Sequence, residues 1–316
     1  MKPAVVVVGS LNMDFVVRVR RLPAPGETVL GGEFQMLPGG KGANQACAAG
    51  RLGGNAVNVK MIGRVGQDIF ADRLKASLSA AGVDVSGVHV TRSQPTGVAL
   101  IAVDAAGQNS IVVASGANGE LAAADVEAMR KVFRGASVAL FQLENPLDTV
   151  TGAMRIARDE GLIAILDPAP AQPLPPELLR QVDILTPNES EALGLLGRPS
   201  TRIPVSDAGR IARELLALGP RIVILKLGEQ GCYACGPDGE GHHPGFAMDV
   251  VDTTAAGDTF NAGLAIALAE GTELTDALRF ANAAAAISVT RAGAQTSAPS
   301  RAEVDALISR NVPLPM

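Results

Sequence analysis

Residues 4–14 read AVVVVGSLNMD, and this stretch decides the fold class. Ala4 to Val8 is a short, continuous apolar run, which is typical of a strand buried on both faces of a parallel sheet. The run ends at Gly9-Ser10, and Asn12 and Asp14 follow it. Ligands of α/β proteins bind beyond the carboxyl ends of such strands. The stretch therefore predicts a buried first strand with a polar binding edge, and not a signal peptide, because no small-residue cleavage pattern follows.

Similar runs recur along the chain and alternate with alanine-rich segments, which predicts an α/β fold with a mainly parallel sheet and helices on both of its faces. The further predicted central strands are residues 57–62, 138–141, 163–166, 184–185 and 222–225. The predicted helices include residues 43–52, 71–81, 123–133, 150–160 and 207–218. We expect a single domain over residues 1–316, because no low-complexity linker interrupts this pattern.

Two stretches break the alternation, residues 15–37 and residues 97–114. In the second, two apolar runs flank a turn at residues 105–109, and both stretches are predicted to be hairpins. Strands outside the parallel sheet would form a small separate layer. Such a layer is predicted to be a lid, inserted in the domain, over a site at the carboxyl edge of the sheet.

Composition narrows the class of protein. The net charge of −5 comes with no basic stripe, so no nucleic-acid partner is expected. No run approaches the roughly 18 consecutive apolar residues of a membrane helix, so no membrane partner is expected either. Cys232 and Cys235 are predicted to share a strand, where positions three apart face opposite sides. They are therefore interpreted as buried thiols of a reduced cytoplasm, and not as a metal or redox site.

A glycine-rich turn at residues 38–44, PGGKGAN, opens a predicted helix and lets a ligand approach backbone N–H groups closely. It is not a Walker A loop, because Lys41 is followed by glycine. One interpretation is a sugar site in which Lys41 and Asn44 reach hydroxyls, and the other is a plain left-handed turn. Asn12 and Asp14 leave a similar choice between binding vicinal hydroxyls and forming a turn.

Residues 252–260, DTTAAGDTF, give the sharpest signal. Small residues at a helix N-terminus leave N–H donors unpaired, and the helix dipole adds positive potential. The segment therefore predicts an anion hole, whose preorganised donors can stabilise a transferring γ-phosphoryl group without side-chain cations. Asp258 is predicted to accept the proton of an attacking alcohol, and it needs no unusual pKa to do so because an aspartate is ionised near pH 7. The alternative is that Asp258 only stabilises the first helical turn.

Two further carboxylates follow predicted strands. Glu191, in TPNESE at residues 186–191, either organises hydrated Mg²⁺ near phosphates or caps a helix together with Asn188. Glu144, in QLE at residues 142–144, places another carboxylate at the binding edge.

The order of these segments resembles the ribokinase (PfkB-type) family of carbohydrate kinases. The resembling segments are Gly9-Ser10 with Asn12 and Asp14, GGKGANQA at residues 39–46, QLE at 142–144, DPAPA at 167–171, TPNE at 186–189, DTTAAGDTF at 252–260 and GAQ at 293–295. The resemblance covers the whole chain. It implies a ribokinase-like fold and phosphotransfer from ATP to an alcohol group, with Mg²⁺ and an activating monovalent cation, usually K⁺.

The resemblance also implies the roles of individual residues. Asp258 is the implied catalytic base, and the implied anion hole is Ala255, Ala256 and Gly257. The implied sugar-binding residues are Asn12, Met13, Asp14, Gly40, Lys41, Gly42, Asn44, Glu144 and Asp258. The implied ATP-binding residues are Asn188, Lys226, Leu227, Gly228, Glu229, Gly231, Gly257 and Asn282, of which Lys226 and Asn282 occupy positions that vary in the family. Mg²⁺ is placed near Glu191, and the monovalent cation near Asp252, Thr254, Ser288, Arg291, Gly293 and Ser297.

The resulting hypothesis is a cytoplasmic enzyme that phosphorylates D-ribose at its 5-hydroxyl, giving D-ribose 5-phosphate and ADP. Family members commonly form homodimers through the lid, so a homodimer is expected. A kinase for 2-deoxyribose or another furanose is an alternative, because one hydroxyl can depend on a few contacts. A non-catalytic sugar sensor that kept the fold is a third possibility.

Overall fold

The apolar run Ala4–Val8 forms the first strand, and all five of its residues are buried. Val5 and Val7 pack into the core on one face of the sheet, and Val6 and Val8 pack into the core on the other. Successive side chains of a strand point to opposite faces, so this strand is buried on both sides, as predicted.

The structure is a computed structural model that describes residues 2–310. The predicted domain over residues 1–316 includes residues outside this range, and its extent stays a prediction. No helix in the described range is long and apolar enough to cross a membrane.

The elements of the described chain are as follows. The strands are β1 (Ala4–Val8), β2 (Asn12–Arg18), β3 (Phe34–Gly39), β4 (Asn58–Gly66), β5 (Val83–Thr91), β6 (Gly97–Val103), β7 (Asn109–Ala114), β8 (Val138–Phe141), β9 (Ile163–Leu166), β10 (Ile184–Leu185), β11 (Ile222–Lys226), β12 (Cys232–Gly236) and β13 (Gly239–His243). The helices are α1 (Lys41–Gly53), α2 (Ile69–Ala80), α3 (Ala123–Ala128), α4 (Leu147–Asp159), α5 (Pro176–Leu179), α6 (Glu189–Leu195), α7 (Val205–Leu216), α8 (Ala256–Ala269), α9 (Leu274–Ser288) and α10 (Arg301–Arg310). Short 3-10 helices cover Gly116–Glu120, Arg130–Val132 and Gly228–Gln230.

A nine-stranded sheet lies at the centre, in the order β13-β12-β11-β10-β9-β8-β1-β4-β5. Its strands are parallel from β5 to β11, and β12 and β13 add antiparallel pairs at one edge. The predicted α/β class with a mainly parallel sheet is confirmed. The chain runs from β1 to β4 on one side and returns to β8 on the other, so the strand order reverses at β1. Ligands bind beyond the carboxyl ends of the strands at such a point.

The two predicted hairpins contribute a second sheet of four strands, in the order β3-β2-β6-β7. β2 pairs antiparallel with β3, β6 pairs antiparallel with β7, and β2 and β6 run parallel. β2 begins at Asn12, three residues before the predicted hairpin segment 15–37. Asn12 and Asp14 therefore lie on a strand of this small sheet, and the alternative of a plain turn is wrong.

The secondary structure departs from the prediction in three places. The helix predicted over residues 123–133 ends at Ala128, and a 3-10 turn at Arg130–Val132 replaces its second half. β5 is absent from the prediction because Gly87 interrupts its apolar pattern. Glycine is needed at this position, because a Cβ there would lie 2.6 Å from the carbonyl oxygen of Met61 on the neighbouring strand. β13 reads GEGHH, and this glycine-rich composition carries no strand signal.

Candidate active site

Helix α1 begins against the residues that follow β1. A Cβ atom on Gly42 would lie 2.6 Å from the Cα of Gly9, so the two backbones approach more closely than any side chain allows. The N–H of Ala43 donates to the carbonyl oxygen of Ser10 at 2.9 Å. Gly40, which precedes the helix, has a φ of 89°, a conformation that favours glycine. The first turn of α1 is thereby held beside the start of β2.

Glu144 joins three of the segments predicted to hold a sugar. Its Oε2 accepts hydrogen bonds from Oγ of Ser10, from Nδ2 of Asn12 at 3.4 Å and from the N–H of Lys41 at 3.2 Å. These donors come from the end of β1, from β2 and from α1. The carboxylate therefore fixes the three segments relative to one another, and it lies where the prediction placed it, after β8.

Asp14 lies in β2 against the backbone of β3. A Cβ atom on Gly39 would lie 2.0 Å from Oδ2 of Asp14, so only glycine leaves room for this carboxylate. Burial, and then the negative charges of Glu144 and Asp258, raise the pKa of Asp14 to about 7. The side chain of Met13 points away from Asp14 into the core and is fully buried, so only its backbone can face a sugar.

Asp258 lies in the first turn of α8 and is only 6% exposed. Its Oδ2 accepts a hydrogen bond from Nδ2 of Asn44 at 3.1 Å, and its Oδ1 accepts one from Nε2 of Gln45 at 3.0 Å. Burial raises the pKa of Asp258 to about 6, although the charge of Lys41 and the two amide hydrogen bonds oppose this rise. The pKa of Asp258 therefore lies above the ordinary value of an aspartate. The carboxyl group is still mostly ionised at neutral pH, and its basicity is closer to that of a catalytic base.

The predicted anion hole lies at the start of α8. Ala255 precedes the helix in the left-handed region, with φ 59°. The N–H of Ala256 donates to the carbonyl oxygen of Thr253 at 3.2 Å, so the turn already uses this donor. N–H groups in the first turn of a helix have no acceptor inside it, which leaves those of Gly257 and Asp258 for an anion.

Two side-chain cations lie in the same cavity as these N–H groups. Lys41 and Lys226 line the same cavity as Gly257, and Nζ of Lys226 lies 3.3 Å from where a Cβ on Gly257 would be. Burial lowers the pKa of Lys41, but the charges of Asp258 and Asp167, with others, outweigh it and raise the pKa above its usual value. Lys41 is therefore protonated at any pH where the protein works.

A buried polar network supports Asp258 and contains residues that the sequence prediction left without a role. Nε2 of Gln142 donates to Oε1 of Gln45 at 2.6 Å, and Nε2 of Gln45 donates to both Asp258 and Asp167. Nζ of Lys226 donates to Oδ1 of Asp167 at 3.0 Å. Asp167 directly follows β9, and this position at the carboxyl edge of the sheet is the signal that could have identified it.

Three cavities meet at Thr253, which lines all of them. The first, of about 740 Å³, is strongly charged and contains Lys41, Lys226 and Asp258. The second, of about 480 Å³, has an apolar wall that includes Phe246, Met248, Val250, Ala285, Ala286 and Val289. The third, of about 410 Å³, lies between the small sheet and the loop before α8 and contains Asp14 and Asp252. The arrangement offers a polar pocket under the sheet, an anion site and an apolar slot in sequence.

Comparison with known proteins shows the family of the chain. The sequence model of the pfkB family carbohydrate kinases matches residues 2–301. The chain belongs to the pfkB family of carbohydrate kinases. Ribokinase from Haemophilus influenzae is 40% identical over 306 residues, which are 96% of this chain and 97% of that protein. Deoxyribokinase from Salmonella typhi is 34% identical over 309 residues, 97% of this chain and 99% of that protein.

A solved pfkB-family structure agrees with the fold over nearly the whole chain. The structure of Arabidopsis thaliana ribokinase complexed with ribose and ATP is 35% identical and has a TM-score of 0.88. The match covers 98% of this chain and 99% of the plant chain. The nine-stranded sheet and the small second sheet are therefore the ribokinase-like fold that the sequence predicts.

The residues implied for ATP in this pfkB-family chain all line the first or the second cavity. They are Asn188, Lys226, Leu227, Gly228, Glu229, Gly231, Gly257 and Asn282. Two of their amide side chains are already committed. Nδ2 of Asn282 donates to the carbonyl oxygens of His243 and Pro244, so it stabilises the wall of the second cavity. Oδ1 of Asn188 accepts from the N–H of Glu191.

Glu191 forms the predicted helix cap. It forms a reciprocal helix cap with Asn188, whose N–H and Nδ2 both donate to its carboxylate. Its carboxylate also lines the charged cavity. Burial raises the pKa of Glu191, and the charge of Asp167 adds to this rise, while Lys226 opposes it. Nearby positive charge would stabilise its ionised form.

The residues implied for a monovalent cation are brought together only in part. Asp252 accepts hydrogen bonds from the N–H and Oγ1 of Thr254 and from the N–H of Gly293. The hydroxyls of Ser288 and Ser297 donate to carbonyl oxygens in their own turns. The side chain of Arg291 pairs with Glu303, so Arg291 has only its backbone to offer a cation. Among residues 2–310 there is no group of three or more His, Cys, Asp or Glu side chains that could hold a metal ion.

Proposed function

We propose that this pfkB-family chain transfers the γ-phosphoryl group of ATP to the 5-hydroxyl of D-ribose, giving D-ribose 5-phosphate and ADP. The observation that carries the proposal is Asp258, a buried carboxylate that is held by two amides at the start of α8 and lines the charged cavity. Whole-length similarity to ribokinases and to a ribokinase complexed with ribose and ATP supports these two substrates.

The chemistry follows from where the groups lie. Asp258 accepts the proton of the sugar hydroxyl while the hydroxyl oxygen forms a bond to the γ-phosphorus of ATP. The bond between the γ-phosphorus and the β–γ bridging oxygen breaks at the same time. Charge gathers on the equatorial phosphoryl oxygens and on the leaving ADP. The N–H groups of the first turn of α8, together with Lys41 and Lys226, stabilise this charge.

The polar groups around Asp14 and Glu144 offer the donors and acceptors that a furanose needs. Glu144 and Asp14 accept hydrogen bonds, and Nδ2 of Asn12 donates. Oδ1 of Asn44 is buried without a hydrogen-bond partner in the described chain. A buried carbonyl oxygen without a partner is costly, so a sugar hydroxyl that donates to Asn44 would bind favourably there.

Magnesium fits the charged cavity, because Mg²⁺ prefers carboxylate oxygen, keeps several waters and binds phosphates. Glu191 would hold it through its waters, with Asp167 near by. Mg²⁺ would neutralise phosphate charge. The absence of a three-residue metal cluster in the described chain agrees with this mode, in which the nucleotide supplies other ligands.

A monovalent cation, K⁺ in our proposal, fits the junction of Asp252, Thr254 and Gly293 because backbone carbonyls and a carboxylate are hard oxygen donors. Although burial opposes it, hydrogen bonds from Thr254 and Gly293 lower the pKa of Asp252, so the carboxylate is charged at neutral pH. This junction directly precedes α8, and a cation there would add positive potential near the anion hole.

A homodimer through the small sheet is the proposed assembly. Phe34, Met36, Leu100 and Val112 are exposed large apolar side chains, and the strand alternation places them on the face opposite to Asp14. Exposed apolar patches of this kind mark association sites. The proposed location is the cytoplasm, where ATP is available and the three buried cysteines stay free thiols.

A panel of sugars tests the substrate. ADP release would be measured with D-ribose, 2-deoxyribose, D-fructose and nucleosides, and D-ribose is expected to give the highest kcat/KM. The second candidate, 2-deoxyribose, is kept because a deoxyribokinase is also similar over the whole chain. A higher kcat/KM for any other sugar would overturn the proposed substrate. No phosphorylation of any sugar would favour the non-catalytic sensor.

A further inference from the structure

Asn118 lies in the 3-10 helix Gly116–Glu120, outside every set of residues discussed above, and is only 1% exposed. Its Oδ1 accepts a hydrogen bond from the N–H of Leu11 at 2.9 Å. Its Nδ2 donates to the carbonyl oxygen of Leu11 at 3.0 Å and to Oδ1 of Asn12 at 2.7 Å. Both ends of this amide are therefore used, and both act on the segment that leads into β2.

These bonds determine which end of the Asn12 amide is directed at Glu144. Oδ1 of Asn12 is held by Asn118, so Nδ2 of Asn12 is the end directed at Glu144, 3.4 Å away. Asn12 is also buried, with 2% exposure. Reversing its amide would place two donors against each other at Asn118 and two acceptors against each other at Glu144, which is costly in a buried position.

We propose that Asn118 is a positioning residue that fixes Asn12 as a hydrogen-bond donor to the sugar. The inference rests on the proposed function, because it concerns the same sugar pocket. Asn12 then presents a donor beside the acceptor Glu144. A furanose binds with a hydroxyl oxygen as acceptor toward Asn12 and a hydroxyl hydrogen toward Glu144, and Asn118 determines this polarity without touching the sugar.

The position of Asn118 also couples this polarity to the small sheet. Gly97, the first residue of β6, pairs in register with Asn12. A Cβ atom on Gly97 would lie 2.3 Å from Nδ2 of Asn118 and 2.3 Å from Oδ1 of Asn12. The carbonyl oxygen of Asn118 accepts a hydrogen bond from Nδ2 of Asn145, the residue after Glu144. Asn118 therefore connects the first residues of β2 and β6 with the segment that carries Glu144.

The first test replaces Asn118 by its nearest isostere. In Asn118→Asp the new carboxylate still accepts from Leu11 but cannot donate to Asn12, so the Asn12 amide is expected to reverse. We expect KM for D-ribose to rise about tenfold or more, while KM for ATP changes less than about twofold. In an Asn12→Ala background the same change should raise KM for ribose less than about twofold, because the group through which Asn118 acts is gone.

Equal factors in both backgrounds would mean that Asn118 serves only the fold, and the proposal would be wrong. An unchanged KM for ribose in the single variant would also overturn it. This test is distinguishable from a test of the proposed function. If the proposed function is wrong, the parent enzyme releases no ADP with ribose. If only the role of Asn118 is wrong, the parent enzyme is fully active.

A second test keeps Asn118 unchanged, so it does not require that Asn118 variants fold. Gly97→Ala places a methyl group between the two amides and should reproduce the rise in KM for ribose. Gly119→Ala is the matched control in the same 3-10 helix, since its Cβ would meet nothing closer than 3.7 Å, and its KM should be unchanged. Equal KM values for both variants, with unaltered unfolding curves, would contradict the proposal.

Discussion

At the scale of single residues, the site holds two carboxyl groups that oppose folding when they are ionised. Burial raises the pKa of Asp258 to about 6 and that of Asp14 to about 7. A raised pKa means that the stability each group contributes is fully present below its unfolded value of 3.8, and is lost as pH rises through the folded pKa. The free energy of unfolding is therefore reduced at the pH where both groups are charged for function.

Asp14→Asn should stabilise the protein while weakening sugar binding. The neutral amide removes the buried charge, so the free energy of unfolding should rise by roughly 1 kcal/mol or more at about pH 8. At about pH 5 the gain should be smaller, because Asp14 is then protonated in the folded parent and ionised only in the unfolded chain. Denaturant unfolding at both pH values measures this. Asp276→Asn, at an exposed position in α9, is the control and should change little at either pH. An equal gain at both pH values would contradict the account.

The same groups predict the acid limb of activity. Asp258 must be ionised to accept a proton, so kcat/KM for ribose should fall as pH drops below about 7, approaching tenfold per unit. The limb should report apparent pKa values between those of Asp258 and Asp14, which interact. Initial rates from about pH 5 to about pH 9 would establish the profile. Constant kcat/KM down to about pH 5 would show that neither group has a raised pKa in the working enzyme.

The sequence could predict which single residues are chemically important, but not their states. Residues 252–260 and 38–44 already predicted an anion hole, a base and a sugar-binding turn from their small residues and carboxylates. The raised pKa of Asp258 follows from how many chain segments surround it, which no local pattern reports. The roles of Gln45 and Asp167 were missed because each depends on contacts with residues more than a hundred positions away.

At the scale of elements, the site depends on how closely α1 lies against the end of β1. Gly42→Ala would place a Cβ 2.6 Å from backbone atoms of Gly9, so α1 must move and the variant should lose roughly 1–3 kcal/mol of unfolding free energy. Gly194→Ala, inside α6, is the matched control. Its Cβ would meet Ala171 at an ordinary 3.4 Å, so helix propensity should stabilise it by about 0.5–1 kcal/mol. Denaturant unfolding distinguishes them, and equal effects would refute the close approach.

Elements were predicted well where one physical pattern governs them. β1, β8, β9 and β10 match their predicted bounds because both faces are buried and the whole run must be apolar. β13 and the end of α3 were missed because neighbouring elements, rather than local sequence, decide their conformation.

At the scale of the whole molecule, the outer face of the small sheet predicts the assembly. Leu100→Glu combined with Val112→Lys puts charges on side chains that are 56% and 64% exposed on this face, so the variant should be a monomer. Light scattering should give twice the 32.3 kDa chain mass for the parent and the single mass for the variant. Ile69→Lys alters an exposed apolar residue on α2 and should leave the dimer intact. A variant with the mass of the parent would contradict the proposed interface.

The sequence predicted the overall architecture because strand and helix periods alternate over most of the chain, and it located the small sheet because two stretches break that alternation. It could not predict that the cavities meet at Thr253, since this depends on how α8, α9, the small sheet and the loop before α8 come together around them.

The most direct test of the account is the turnover of Asp258→Asn with D-ribose and ATP, measured beside ribose binding by calorimetry. Removing the proton acceptor should lower kcat by about a thousandfold or more, while Kd for ribose changes less than about tenfold. Unfolding measurements would verify that the variant keeps the native fold. Turnover close to that of the parent would mean that Asp258 is not the base, and the central claim would be wrong.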